Sequence, residues 1–220
     1  MNISTILRML SELRQLRKHD GWNHEQIEHY QTQMLANLRE YTYQNSRFYR
    51  HFHRRLYNAP LHELPILTKQ MMMEQFDDFV TDPAIRLQDI RRQREEKIEA
   101  RYLGRYWVNA TSGSTGSPGI FLFNHREWAT VLASFTRAYE WAGVHVDLTR
   151  HRKIAVVSSV TPFHMSFLVG SSLHSPWVSS LRLSATEPIE DIVTQLNDWH
   201  PETLIAYASM TSILAVEQLA

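Results

Sequence analysis

The spacing of apolar residues changes once along this 220-residue chain, near residue 105, and that change leaves few architectures open. Upstream, nearly everything steps at helical intervals. Ile6, Met9, Leu10, Leu13 and Leu16 mark one helix, and Ile27, Tyr30, Met34, Leu38 and Tyr41 mark one face of a longer one. A connection containing Pro60 and Pro65 follows. Thr68 then caps a helix through Met71, Met72, Gln75 and Phe76, which Asp82-Pro83 breaks. Downstream, strands are predicted over 106–108, 120–123, 154–160, 177–183 and 204–207. Asn124 with Glu127 forms a capping box for a helix carrying Trp128, Val131, Leu132, Phe135, Tyr139 and Ala142 on one side, with Gly143 at its end. Pro188 opens a helix with Ile189, Ile192, Val193, Leu196 and Trp199 inward, and Ser209 begins a last one. Strands separated by helices imply an α/β fold of βαβ units in a mostly parallel sheet. The expectation is a helical N-terminal segment over 1–104 and an α/β part of the same domain over 105–220. The last helix reaches the final residue without Gly, Pro or a polar tail, so the domain is expected to be incomplete.

The first two predicted strands flank Thr111-Ser112-Gly113-Ser114-Thr115-Gly116-Ser117-Pro118-Gly119. Glycine is scarce, 7 residues in all, yet three of them fall here at intervals of three. Glycine permits turns closed to other residues, and the hydroxyls between can aim donors at an anion. A flexible Ser/Gly linker is the bland alternative. Linkers of that kind join polar regions, whereas this run lies between two apolar β-prone segments and ends in a rigid proline. A phosphate-holding hairpin is the better reading. The Gly-x-x-x-x-Gly-Lys-Ser/Thr loop, the dinucleotide Gly-x-Gly-x-x-Gly fingerprint and the Gly-x-Ser-x-Gly elbow are all unmatched.

Other chemistries fall away on composition. There is no cysteine, which excludes disulfide scaffolds, thiolate zinc sites and thiol nucleophiles. The 23 basic and 23 acidic residues balance, giving no overall attraction to nucleic acid or anionic lipid. No apolar stretch approaches the ~20 residues that span a bilayer. The basic start of the chain reads as a packing helix rather than a presequence, so a cytoplasmic protein is expected. Twelve histidines invite a metal site, but His51 and His53 at i and i+2 on a helix face apart, and no metal is expected there. Arg47, Arg50, Arg54 and Arg55 read as a solvated face, the run 91–97 as a surface helix, and Met71-Met72-Met73 as core filler.

The run Thr111 to Pro118 matches, in full, the pattern Thr-Ser-Gly-Ser/Thr-Thr-Gly-x-Pro, and so resembles the phosphate loop of adenylate-forming enzymes, the acyl-CoA synthetase and luciferase-like superfamily. The phenylacetate–CoA ligase branch looks closest. Ser46-Arg47-Phe48-Tyr49-Arg50 and Leu64-Pro65-Ile66-Leu67-Thr68-Lys69 resemble its N-terminal segments, and Pro162-Phe163-His164 its aromatic-His segment. The resemblance runs from about residue 40 to the chain end, with the eight-residue loop as its specific part.

That resemblance implies ATP as nucleotide, Mg²⁺ with it, CoA as co-substrate and a small organic acid as substrate. Thr111, Ser112, Gly113, Ser114, Thr115 and Gly116 would hold the phosphates. Phe163 and His164 would line the acyl pocket, with Trp141 and Trp177 available to it; a turn at a strand end is the alternative for Phe163 and His164. Two features depart from the family. Gly119 follows Pro118 where many relatives carry a Lys shortly after the Pro, and no Tyr-Gly-x-Thr-Glu or Thr-Gly-Asp segment occurs. The chain therefore reads as the N-terminal part of such a ligase, with no catalytic residue assigned. The competing reading is a truncated or split non-catalytic binding module, partnered by a missing C-terminal half.

Overall fold

The computed structural model describes residues 3–96, 100–113, 118–144, 151–172 and 177–219. Within them the fold is mixed α/β, with ten α-helices, an antiparallel hairpin and a three-stranded parallel sheet. The strands flanking the glycine-hydroxyl run are β1 (Trp107–Ala110) and β2 (Ile120–Phe123). They pair with each other, Trp107 opposite Phe123 and Ala110 opposite Ile120, and stand apart from the parallel strands.

The parallel sheet comprises β3 (Arg152–Ser158), β4 (Val178–Ser184) and β5 (Thr203–Ala206), in the order β4-β3-β5. Strand alternation gives its two faces different covers. Val157 and Leu183 point to one face and pack with Ile192 of α9 (Ile189–Trp199) and Leu214 of α10 (Ala208–Leu219). Arg182, the next residue back along β4, meets α8 (Met165–Ser172) on the other. A Cβ on Gly170 of α8 would lie 3.1 Å from an Arg182 guanidinium nitrogen, so glycine lets the helix approach. The sequence pattern missed α8: its eight residues carry no amphipathic period, because neighbours cover several sides.

Upstream, α1 (Ile3–Lys18) lies along α7 (His125–Trp141). Thr5 Oγ1 sits 3.2 Å from His125 Nε2 at one end, and Arg17 pairs with Glu140 at the other, so the two helices run in the same direction. α2 (His24–Asn45) opens on a reciprocal Asn23–Gln26 capping box and ends at Ser46. Ser46 is fully buried. It caps α3 (Arg47–Phe52), and its hydroxyl lies 2.9 and 3.1 Å from the Phe79 and Asp78 carbonyl oxygens. The helix expected from Thr68 is two: α4 (Lys69–Glu74) and α5 (Phe76–Phe79), parted where Gln75 leaves helical geometry at φ −114°, ψ 29°. The charged segment forms α6 (Leu87–Glu95), which buries Ile90, while Arg91, Arg92 and Glu95 of the run 91–97 are exposed.

The largest core group joins Met72, Met73, Phe76 and Ile90 from before residue 105 with Val108 and Ile120 from after it. The change of period at residue 105 is therefore not a break in packing. α2 departs from the amphipathic expectation: none of its residues is buried, and Leu38 and Tyr41 are 58% and 54% exposed. They line a groove of about 770 Å³ between α2 and the hairpin, which also takes in Tyr49, Asp82, Tyr106 and Phe121.

Candidate functional site

The loop's neck is closed by its own backbone. Thr111 N–H donates to the Gly119 carbonyl at 3.0 Å, and Gly119 N–H donates to Thr111 Oγ1 at 2.9 Å. Thr111 is thereby a neck residue: its amide is spent, while its hydroxyl hydrogen stays free to donate outward. Ser112 is exposed, and Gly113 adopts φ +74°, a left-handed turn that any side chain would strain. Ser114, Thr115 and Gly116 lie outside the described residues.

Gly119 is needed for space rather than for its backbone angle. A Cβ there would lie 3.3 Å from the Phe121 ring and 3.5 Å from Lys69 Cδ. The Lys69 stem, at the start of α4, thus runs against the neck.

One strand rise below the neck, Ala110 N–H donates to the Phe163 carbonyl at 2.8 Å. The loop and the Pro162-Phe163-His164 turn, read separately in the sequence, are therefore hydrogen-bonded neighbours. Phe163 is buried at φ +74°, a conformation costing roughly 1–3 kcal/mol for a non-glycine residue, held by that bond and by core packing. His164 is half-buried, its Nδ1 2.7 Å from Ser159 Oγ. Ser159 Oγ accepts from Thr161 N–H at 3.2 Å, and Ser159 N–H donates to the Tyr207 hydroxyl at 3.1 Å. Where the Ser159 hydroxyl donates to Nδ1, the neutral ring presents Nε2–H as a donor; in the other tautomer Nδ1–H donates to Ser159 Oγ and Nε2 is an acceptor.

This turn stands at the carboxyl end of β3, where the chain order reverses: β4 lies on one side of β3 and β5 on the other. Crevices at such points are the usual ligand sites of open parallel sheets. Arg94, from the run 91–97, also reaches it: its guanidinium carbon lies 6.0 Å from the Phe163 ring centroid, and its Nε is buried without a partner among the described residues. Asn109 Oδ1 on β1 is likewise buried and without a partner among them. No periodicity could have found either one, because both are ordinary helix and strand positions in sequence.

Trp141 and Trp177 do not join Phe163. Trp141 is exposed at the far end of α7 beneath Arg137, and Trp177 precedes β4, its carbonyl accepting from Arg152 N–H at the amino end of the sheet. His53 ends α3 as its cap, so His51 and His53 share no ligating face. Among the described residues no group of three or more His, Asp or Glu could hold a metal ion. None of their helices is long and apolar enough to cross a membrane. A further polar pair lies elsewhere, on the groove wall. Tyr106 donates to Asp82 at 2.6 Å, which holds the carboxyl below its usual range and, with burial leading, pushes the phenol up to about 12.

No family model, no curated protein and no solved structure matches the chain.

Proposed function

We propose that this chain is the nucleotide-phosphate-binding part of an ATP-dependent carboxylate ligase that forms an acyl adenylate and then an acyl-CoA thioester. The observation that supports it is the 2.8 Å bond from Ala110 to the Phe163 carbonyl. It sets a donor-bearing glycine loop beside an aromatic-His turn at the crevice of a parallel sheet. Adenylation needs these two functions side by side: phosphates held in line and a carboxylate presented to them. In this reading the hydroxyls of Thr111, Ser112, Ser114 and Thr115, with the Lys69 ammonium, neutralise charge on departing pyrophosphate. His164 Nε2–H orients the acid, and the buried Phe163 ring excludes water from it. No described group fits the Mg²⁺ implied by the resemblance, so no step is routed through a metal.

A second reading, a binding module that acts with a partner chain, is favoured by one observation. The β5 edge and α10 expose Leu204, Tyr207, Ile213 and Val216 together.

Titrating ATP onto the wild-type chain and a Ser114→Ala/Thr115→Ala variant tests the main reading. The variant is expected to bind about tenfold more weakly, from lost hydrogen bonds to charged oxygens. Equal affinities would remove the loop from the site and the proposal with it. Carboxylate-dependent ATP–pyrophosphate exchange is expected to be absent from this chain alone, and robust exchange above a Thr115→Ala control would favour a complete catalyst.

A further inference from the structure

At the end of the hairpin away from the loop, an open basin of about 530 Å³ is lined by Arg8, Arg101, Arg105 and Arg126 with Asn124 and His125. Three separate pieces of the chain converge there: α1, the turn before β1 and the start of α7. Among the described residues no carboxylate is in the lining. Asp82 is engaged by Arg105 at 2.5 Å and Tyr106 at 2.6 Å, and Glu127 by the Asn124 amide at 2.7 Å. Arg8 and Arg126 are exposed and have no ion-pair partner among the described residues, and Arg101 is held over the Trp107 ring, 4.1 Å from its centroid. On a chain whose formal net charge is zero, three guanidinium groups without an acidic partner among the described residues, those of Arg8, Arg101 and Arg126, gather around one concavity beside Arg105, which pairs with Asp82, and an anion there would complete the arrangement.

We propose that this basin is a second anion site, which takes a small molecule carrying two adjacent phosphate groups. Guanidinium forks match phosphate oxygens in pairs, and several forks select a multiply charged phosphate over a monoanion. Among the described residues the lining holds no Trp, Tyr or Phe, and Trp107 beside it is already stacked with Trp128 and His125. With no free ring for a base, recognition is of phosphate rather than of single-stranded nucleic acid. The basin is separate from the loop, since β1 puts about 10 Å of strand between them. It stands whether or not the loop binds ATP.

Calorimetric titration of pyrophosphate is made on the full chain in a Ser114→Ala/Thr115→Ala background, so that binding at the loop is weakened and the arginine changes report on the basin. One binding event is expected, weakening as ionic strength rises. Adding Arg8→Gln and Arg126→Gln is expected to weaken it by about tenfold or more, because hydrogen bonds between charged groups are lost. Both substitutions are exposed, and an unchanged circular dichroism spectrum checks the fold. Adenosine diphosphate in place of pyrophosphate identifies the source: tighter binding marks an organic diphosphate, and equal binding marks the phosphates alone, each supporting the site. No binding in the loop-weakened background, an affinity indifferent to the arginine changes, or tighter binding of a single-stranded oligonucleotide than of pyrophosphate would each overturn it.

Discussion

α2 and α7 begin alike and end differently. Each opens on an asparagine whose side chain caps the first turn while the third helical residue, Gln26 or Glu127, caps in return. Each carries a spaced apolar stripe. Yet α7 buries Trp128, Ala129, Leu132 and Ala133 beneath α1, β1 and α8, whereas the longer α2 buries nothing and overlooks a groove. Local chemistry decides where a helix starts. Whether its stripe becomes core depends on a second surface arriving, and that surface is built by distant sequence.

The largest test of the contrast is truncation of matched leucines. Leu132→Ala is expected to lower unfolding free energy in urea by about 2–5 kcal/mol, since it empties a fully buried site. Leu38→Ala should stay within about 0.5 kcal/mol. Comparable losses would mean that α2 is packed in solution and the groove closed. Removing the caps gives a smaller effect. Asn124→Ala is expected to cost about 1 kcal/mol globally. Asn23→Ala should appear instead as faster amide exchange in the first turn of α2, with the unfolding midpoint almost unmoved. A shared global loss would erase the distinction.

The smallest effect is on pH dependence, and it probes the groove wall facing α2. The Tyr106 phenol, near 10 when unfolded, rises to about 12 in the fold, so its contribution is complete below pH 10 and disappears between 10 and 12. The depressed Asp82 carboxyl contributes above its unfolded value near 3.9 and loses that contribution as pH falls through its lower folded value. Tyr106→Phe should therefore flatten the alkaline limb of the midpoint-against-pH curve relative to wild type. An unchanged limb would show that this pair does not govern it.

Much of this was legible in sequence because it is local. The Asn124–Glu127 box, the hairpin strands and the helix after Pro188 all follow from neighbours within a few residues. Two parallel strands begin earlier than the apolar runs suggest and one later: β3 is expected over 154–160 and spans Arg152–Ser158, β5 is expected over 204–207 and spans Thr203–Ala206, and β4 is expected over 177–183 and spans Val178–Ser184. Charged and polar starts such as Arg152 and Lys153 are tolerated at a sheet end, and an apolar count misses them. What remained illegible is long-range. Nothing near Lys69 announces that its stem meets Gly119, and nothing near Arg94 announces Phe163. The same holds for the basin, whose arginines are scattered from position 8 to 126.

The Ala110–Phe163 bond has a mechanical consequence. It works as a short strut between the glycine hairpin and a sheet crossover whose backbone is already wound the unfavourable way. The hairpin neck and the Phe163 turn are thereby fixed to one another through one strand rise and one bond.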